Sequence, residues 1–203
     1  MEELRQAELF VTPMLLPHGL VYHPEFITRA EEKDLLAAIE LLPFREARFQ
    51  EYFARRRVVH FHRVESGVAY DQNDDDSFSS GPMPPFIIEL QQKLTRWLEI
   101  DAAAFVHALV SEYRPGTPIG WHRDKPAYGM VVGLSLAGRG RMRFRPLENA
   151  ARNTMVVLEL EPRSLYVMQG PIRREWQHSM LPTKALRYSI TFRTRAEPSQ
   201  PQG

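Results

Sequence analysis

From residue 105 onwards apolar and polar residues alternate in short runs broken by turn-forming residues, a pattern that predicts strands. FVHALVSEY, IGWHRDK, GMVVGLSL, RMRFRPL, TMVVLEL, SLYVMQG, EWQHS and LRYSITFR follow one another with connections too short for crossover helices. Such a series predicts an antiparallel double sheet rather than an α/β fold. The earlier part reads differently. Thr28-Arg-Ala-Glu31 fits a helix capping box, and Leu35, Leu36, Ile39 and Leu42 continue it as an apolar stripe that Pro43 ends. RRRVVHFHRV, residues 55–64, is β-branched and aromatic and predicts a strand. Pro84 and Pro85 open a second helix, with Phe86, Leu90, Leu94, Trp97 and Leu98 on its buried side. Residues 1–20 read as an arm or an edge element, 66–85 as a loop rich in Gly, Pro, Asp and Ser, and AEPSQPQG as a fraying tail. The expected fold is mainly β, with N-terminal helices backing one sheet of a jelly-roll sandwich.

Length and composition narrow this picture. With 203 residues, 43% of them hydrophobic and 25% charged, the chain has the size and balance of one globular domain spanning 1–203. No stretch is long and apolar enough for a membrane span, and the opening MEELRQAELF is acidic where a secretory signal is basic, so the expected location is cytoplasmic. The absence of cysteine removes disulfides, thiolate metal sites and cysteine nucleophiles together. Metal chemistry must then use His, Asp and Glu, which suits Fe(II) or Mn(II) without excluding zinc. The net charge of +1 hides an uneven distribution: arginines at 45–63, an acidic run at Asp71, Asp74, Asp75 and Asp76, and alternating Arg139, Arg141, Arg143 and Arg145.

His122-Arg-Asp124 places an imidazole and a carboxylate two residues apart, able to converge on one ion from a strand or the bend after it. His178, in the strand EWQHSM, is the candidate third ligand. Two imidazoles and a carboxylate on one face of an iron ion leave positions for a chelating cosubstrate and oxygen. A His-x-Asp pair is common by itself, and His18, His23, His60, His62 and His107 read equally well as ordinary packing or surface residues. The last strand adds a second signal. Arg187, Ser189, Thr191 and Arg193 share one face, and Leu186, Tyr188, Ile190 and Phe192 the other. If the first face is enclosed, its arginines need anions, which a small dicarboxylate and Asp124 would supply. A solvated sheet face fits the same alternation.

Together these elements resemble the AlkB family of 2-oxoglutarate- and Fe(II)-dependent dioxygenases. The resemblance is carried by SEYRPGTPIGWHRDK at 111–125, by His178, and by RYSITFR at 187–193. It implies a double-stranded β-helix over 105–195, preceded by helices and a substrate-binding extension over 1–104. By position, His122, Asp124 and His178 match the iron triad. Arg187 matches the partner of the distal carboxylate of 2-oxoglutarate, and Tyr113 matches a tyrosine hydrogen-bonded to the same molecule. Arg193 matches the arginine near the chelating end that also supports the aspartate. Ser111 and Ser189 stand where the family often has Asn; both keep hydrogen-bonding capacity with a shorter reach, so the cosubstrate assignment stands.

The implied activity is oxidative demethylation of N-alkylated nucleobases in DNA or RNA, a DNA-repair type of reaction using dioxygen and releasing formaldehyde. The alternatives are an oxygenase acting on a protein side chain or a small molecule, and a non-catalytic jelly-roll binding protein. For substrate contacts, Arg57 with its neighbours Arg55 and Arg56 is a candidate for phosphates, and His60 or His62 for the pocket wall, with Phe61 in the core. Arg139, Arg141, Arg143 and Arg145 read as a solvated outer face in preference to a phosphate track. Trp121 and Trp176 read as packing residues, and Trp97 as core.

Overall fold

The computed structural model describes residues 16–49, 52–62, 81–148 and 154–196. The N-terminal arm before residue 16, the loop at 63–80 with its acidic run, and the tail from 197 lie outside the described residues. A first strand, β1 (Leu20–His23), leads to helix α1 (Arg29–Glu40). The capping box forms as expected: the Thr28 hydroxyl accepts from the Glu31 amide at 3.2 Å, and the Glu31 carboxylate accepts from the Thr28 amide at 2.7 Å. Thr28→Ala should therefore lower stability by about 1 kcal/mol in urea denaturation, with the urea dependence unchanged.

Strands β2 (Arg45–Phe49) and β3 (Tyr52–His62) form a hairpin, followed by α2 (Pro85–Leu98) with Pro85 at its first turn. A 3-10 turn at Ala102–Ala104 opens the strand series: β4 (Phe105–Tyr113), β5 (Ile119–His122), β6 (Tyr128–Ala137), β7 (Gly140–Pro146), β8 (Val156–Leu160), β9 (Leu165–Met168), β10 (Trp176–Met180) and β11 (Arg187–Arg195). All pairings are antiparallel among the described residues. A seven-stranded sheet runs β1-β9-β6-β11-β4-β3-β2 and a four-stranded sheet runs β5-β10-β7-β8. This is the mainly β, double-stranded β-helix architecture expected, with a short helix α3 (Pro171–Arg174) inserted before β10.

The helices back the large sheet. Ile39 of α1 and Ile87, Leu90 and Leu94 of α2 pack on Phe61, Val110, Leu134, Tyr188, Ile190 and Phe192. Buried Glu32 anchors α1, accepting from the Ala137 amide at 3.0 Å and from Arg163 at 2.8 Å. Trp97 is not core: it is 39% exposed, at the margin of the α2 stripe, edge-on to Phe26 and His23. A second apolar cluster, with Met142, Phe144, Leu158 and Leu160 of the small sheet, fills part of the space between the two sheets. The polar face of β11 looks into the same space.

Candidate metal centre and cosubstrate cleft

The register of β5 against β10 builds the first half of the site. His178 pairs with His122 and Met180 with Ile119, so three steps on β5 answer two on β10. The resulting bulge turns both Ile119 and His122 toward the inter-sheet cleft. Asp124 follows on the bend after β5. Ligand atoms of His122, Asp124 and His178 lie within 4.8 Å of one another, and His178 Nε2 is 3.8 Å from Asp124 Oδ2. His122 Nδ1 is 3.0 Å from the Gly120 carbonyl, which fixes the proton on Nδ1 and frees Nε2 for an ion. Burial holds His178 neutral, with its pKa lowered to about 4 against the pull of Asp124. Burial alone would raise Asp124; Arg193, His178, Arg173 and His122 outweigh it and keep the carboxyl well below the usual carboxylate range. The centre thus offers an uncharged His178 imidazole, the free Nε2 of His122 and one carboxylate, a donor set suited to metal binding.

The inner face of the large sheet builds the second half in cross-strand rows. Arg56, Tyr113 and Arg187 are neighbours in one row, and Val58, Ser111, Ser189 and Ser135 in the next. Arg187 is 1% exposed; its Nε donates to Ser135 Oγ at 3.1 Å, and its guanidinium lies 4.9 Å from the centre of the Tyr113 ring. A Cβ on Gly140 would meet that Nε at 2.7 Å, so glycine is needed for the arginine to lie as it does. Burial would raise the pKa of Tyr113, yet the charges of Arg56 and Arg187, with hydrogen bonds from Ser189 and Arg56, bring it down to about 8. This end of the cleft is a positive site, with no carboxylate beside Arg56 and Arg187 among the described lining residues.

The two halves face each other, and their residues line a single cleft. A family model described as "2OG-Fe(II) oxygenase superfamily" matches residues 19–193. The chain belongs to this superfamily. It is 28% identical over 183 residues to an Arabidopsis thaliana protein named "Alkylated DNA repair protein ALKBH8 homolog", covering 79% of this chain and 50% of that protein. It is 30% identical over 172 residues to the Mus musculus "tRNA (carboxymethyluridine(34)-5-O)-methyltransferase ALKBH8", covering 83% of this chain and 25% of that one. The chain therefore spans half or less of the length of these two relatives. Among solved structures, that of OsALKBH1 superposes with a TM-score of 0.65 at 16% identity, covering 88% of this chain and 99% of that one, and shows the shared fold. This AlkB-like superfamily member is an Fe(II)- and 2-oxoglutarate-dependent dioxygenase.

The residues present fit both groups. The triad has the donor set for iron. Arg187 Nη1 and Ser111 Oγ are buried without a hydrogen-bond partner among the described residues, in the cleft where a carboxylate of 2-oxoglutarate would satisfy them. His122, Asp124, His178, Tyr113, Arg187, Arg193, Ser111 and Ser189 all line this cleft. The substrate candidates divide. Arg57 does not line the cleft: it forms a two-pronged pair with Glu112 at 2.8 and 2.5 Å and covers the Phe44 ring. Arg56 lines it instead. His60 and His62 share the parity of Arg56 on β3 but are not among the cleft-lining residues; they are buried in a cluster with His107, and Phe61 is core as expected.

Sequence reasoning missed Arg173, whose guanidinium is 3.3 Å from Asp124 Oδ2 and donates to the carbonyls of Gly129, Lys125 and Tyr128. The outer arginine ladder is half surface and half packing. Arg139 and Arg141 pair with Glu161 and Glu159 across the strand, while Arg143 and Arg145 lie over the Trp121 ring at 4.8 and 4.3 Å.

Proposed function

We propose that this dioxygenase removes methyl groups from alkylated nucleobases in DNA or RNA, with His122, Asp124 and His178 holding Fe(II). Arg187, with Tyr113, Ser111 and Ser189, takes the distal carboxylate of 2-oxoglutarate, and Arg193 orders Asp124 and the chelating end. When bound, iron and 2-oxoglutarate supply the oxidation: 2-oxoglutarate and dioxygen give succinate and carbon dioxide, while one oxygen atom enters a substrate C–H bond. A hydroxylated N-methyl group then leaves as formaldehyde. The chain's part is positional. His122 is oriented by Gly120, Asp124 is held between Arg173 and Arg193, and the cleft walls of Ile119, Val131, Met142 and Met168 exclude water.

The observation that carries the cosubstrate assignment is the buried Arg187, which has no anionic partner among the described residues and lines a cleft that also contains the triad. The nucleic-acid assignment is supported by the two relatives, one named for repair of alkylated DNA and one for a tRNA modification. The methyltransferase activity in the second name is not carried over, because the chain covers only 25% of that protein. We assign residues 105–195 to the iron and cosubstrate core, and residues 1–104 to the helices and the substrate-binding side.

The test is incubation with Fe(II), ascorbate and 2-oxoglutarate and a panel of DNA and RNA oligonucleotides carrying 1-methyladenine, 3-methylcytosine or carboxymethyluridine, read by mass spectrometry. Methyl loss that needs 2-oxoglutarate is expected on at least one N-methylated strand. Oxidation confined to the carboxymethyluridine strand would keep the nucleic-acid class and refute demethylation. Succinate formation with every strand unchanged would refute the nucleic-acid reading and leave a protein or small-molecule substrate.

A further inference from the structure

Three buried histidines stand beside the metal centre without belonging to it. His60 and His62 alternate on β3, and His107 is the cross-strand partner of His62 on β4 and of Arg193 on β11. His107 is fully buried and lies nearly parallel to the Tyr128 ring, with 5.5 Å between ring centres. Its Nδ1 is 2.9 Å from Arg193 Nη1, and its Nε2 is 3.2 Å from His60 Nδ1. The second Arg193 nitrogen, Nη2, reaches Asp124 Oδ1 at 3.4 Å.

The protons in this chain are set by elimination. A guanidinium can only donate, so His107 Nδ1 must be a bare acceptor. The proton of neutral His107 is then on Nε2, donated to His60 Nδ1, and His60 in turn carries its proton on Nε2. Burial, followed by the charge of Arg193, keeps His107 uncharged, as this arrangement demands. We propose that His107, backed by His60, is a positioning residue that holds Arg193 at the angle from which it supports Asp124 and the chelating end of 2-oxoglutarate. The inference rests on the role given to Arg193 above.

The same three rings have ligand atoms within 4.8 Å of one another and could be read as a second metal site. The hydrogen bonds argue against it. An ion on His107 Nε2 would displace the proton there and force one onto Nδ1, directly against an Arg193 N–H. Among the described residues no carboxylate belongs to the cluster to offset the added charge.

The test compares His107→Gln, which keeps an acceptor, with His107→Leu, which removes it, and with Arg193→Met. Binding of 2-oxoglutarate is measured by calorimetry on anaerobic Mn(II)-loaded protein, and metal content by mass spectrometry after dialysis. His107→Leu should weaken 2-oxoglutarate roughly tenfold, the worth of a hydrogen bond to a charged group. His107→Gln should restore most of that affinity. If both variants lose equally, His107 acts by packing and the proposal fails. If His107→Leu binds like the native protein while Arg193→Met is weakened, the proposal fails and the role of Arg193 stands. A silent Arg193→Met would remove both. Should His107→Leu not fold, His60→Leu breaks the next link; it should weaken binding severalfold, and native affinity there would overturn the proposal. A second equivalent of retained metal, lost in His62→Ala, would replace it with the metal site.

Discussion

Arg187→Met should weaken 2-oxoglutarate binding by roughly 100- to 1000-fold while changing metal affinity only severalfold. The size follows from burial: removing one partner of a buried charge pair costs about 3–5 kcal/mol, and 1.4 kcal/mol is a factor of ten. Arg187 is 1% exposed, and its Nη1 has no hydrogen-bond partner among the described residues; on the proposed assignment the cosubstrate carboxylate would supply one. The apo protein should respond in the opposite direction. Without cosubstrate the native chain buries a guanidinium that, among the described residues, is held by the Ser135 hydroxyl and the Tyr113 ring, and methionine fills similar length without that charge. Thermal unfolding without ligand should therefore leave Arg187→Met at least as stable as the native protein. Ligand at one hundred times the native Kd should stabilise the native protein by about 2.7 kcal/mol and barely move the variant. Equal losses of metal and cosubstrate affinity would refute this division of labour.

The parts of the site legible in sequence were those fixed by strand alternation. Arg187, Ser189, Thr191 and Arg193 share a face in any extended conformation, and His122 and Asp124 lie close in sequence. Alternation also separates the β3 arginines: Arg57 has the parity of core Phe61, while Arg56 has that of His60 and His62. Arg56 is accordingly the one in the cleft, and Arg57 finds Glu112 on the opposite face. The supports of Asp124 left no such mark. Arg173 sits on a four-residue helix with no apolar period, and besides Asp124 its partners are the carbonyls of Lys125 in the bend and of Tyr128 and Gly129 at the start of β6. The contact of His107 with Arg193 joins residues 86 apart in sequence and exists only through the β4–β11 register. Trp97 failed as core for a similar reason: helical spacing locates the stripe, but not where the partner sheet ends.

Asp124→Ala and His178→Ala should both abolish 2-oxoglutarate turnover, by at least about a thousandfold if the metal is lost, yet they should separate in apo stability. Arg173 and Arg193 both reach Asp124, each with a side chain no more than 11% exposed, and Asp124 is the only carboxylate either contacts among the described residues. Asp124→Ala leaves both cations without it, and breaking a buried pair in this way costs about 3–5 kcal/mol. His178 is uncharged by burial, so its removal deletes a ligand without stranding a charge. The sign of the pH dependence follows. The pKa of Asp124 is depressed in the fold, so its stabilisation is present above the usual carboxylate range and is lost as pH falls below it. Urea denaturation at neutral pH should thus place Asp124→Ala well below His178→Ala, with the gap narrowing in acid. Asp124→Asn should fall between them at neutral pH, since the amide keeps one acceptor oxygen for a guanidinium while losing the charge. If the three variants unfold together, the paired arginines contribute nothing to the apo fold, and Asp124 acts there only as a ligand.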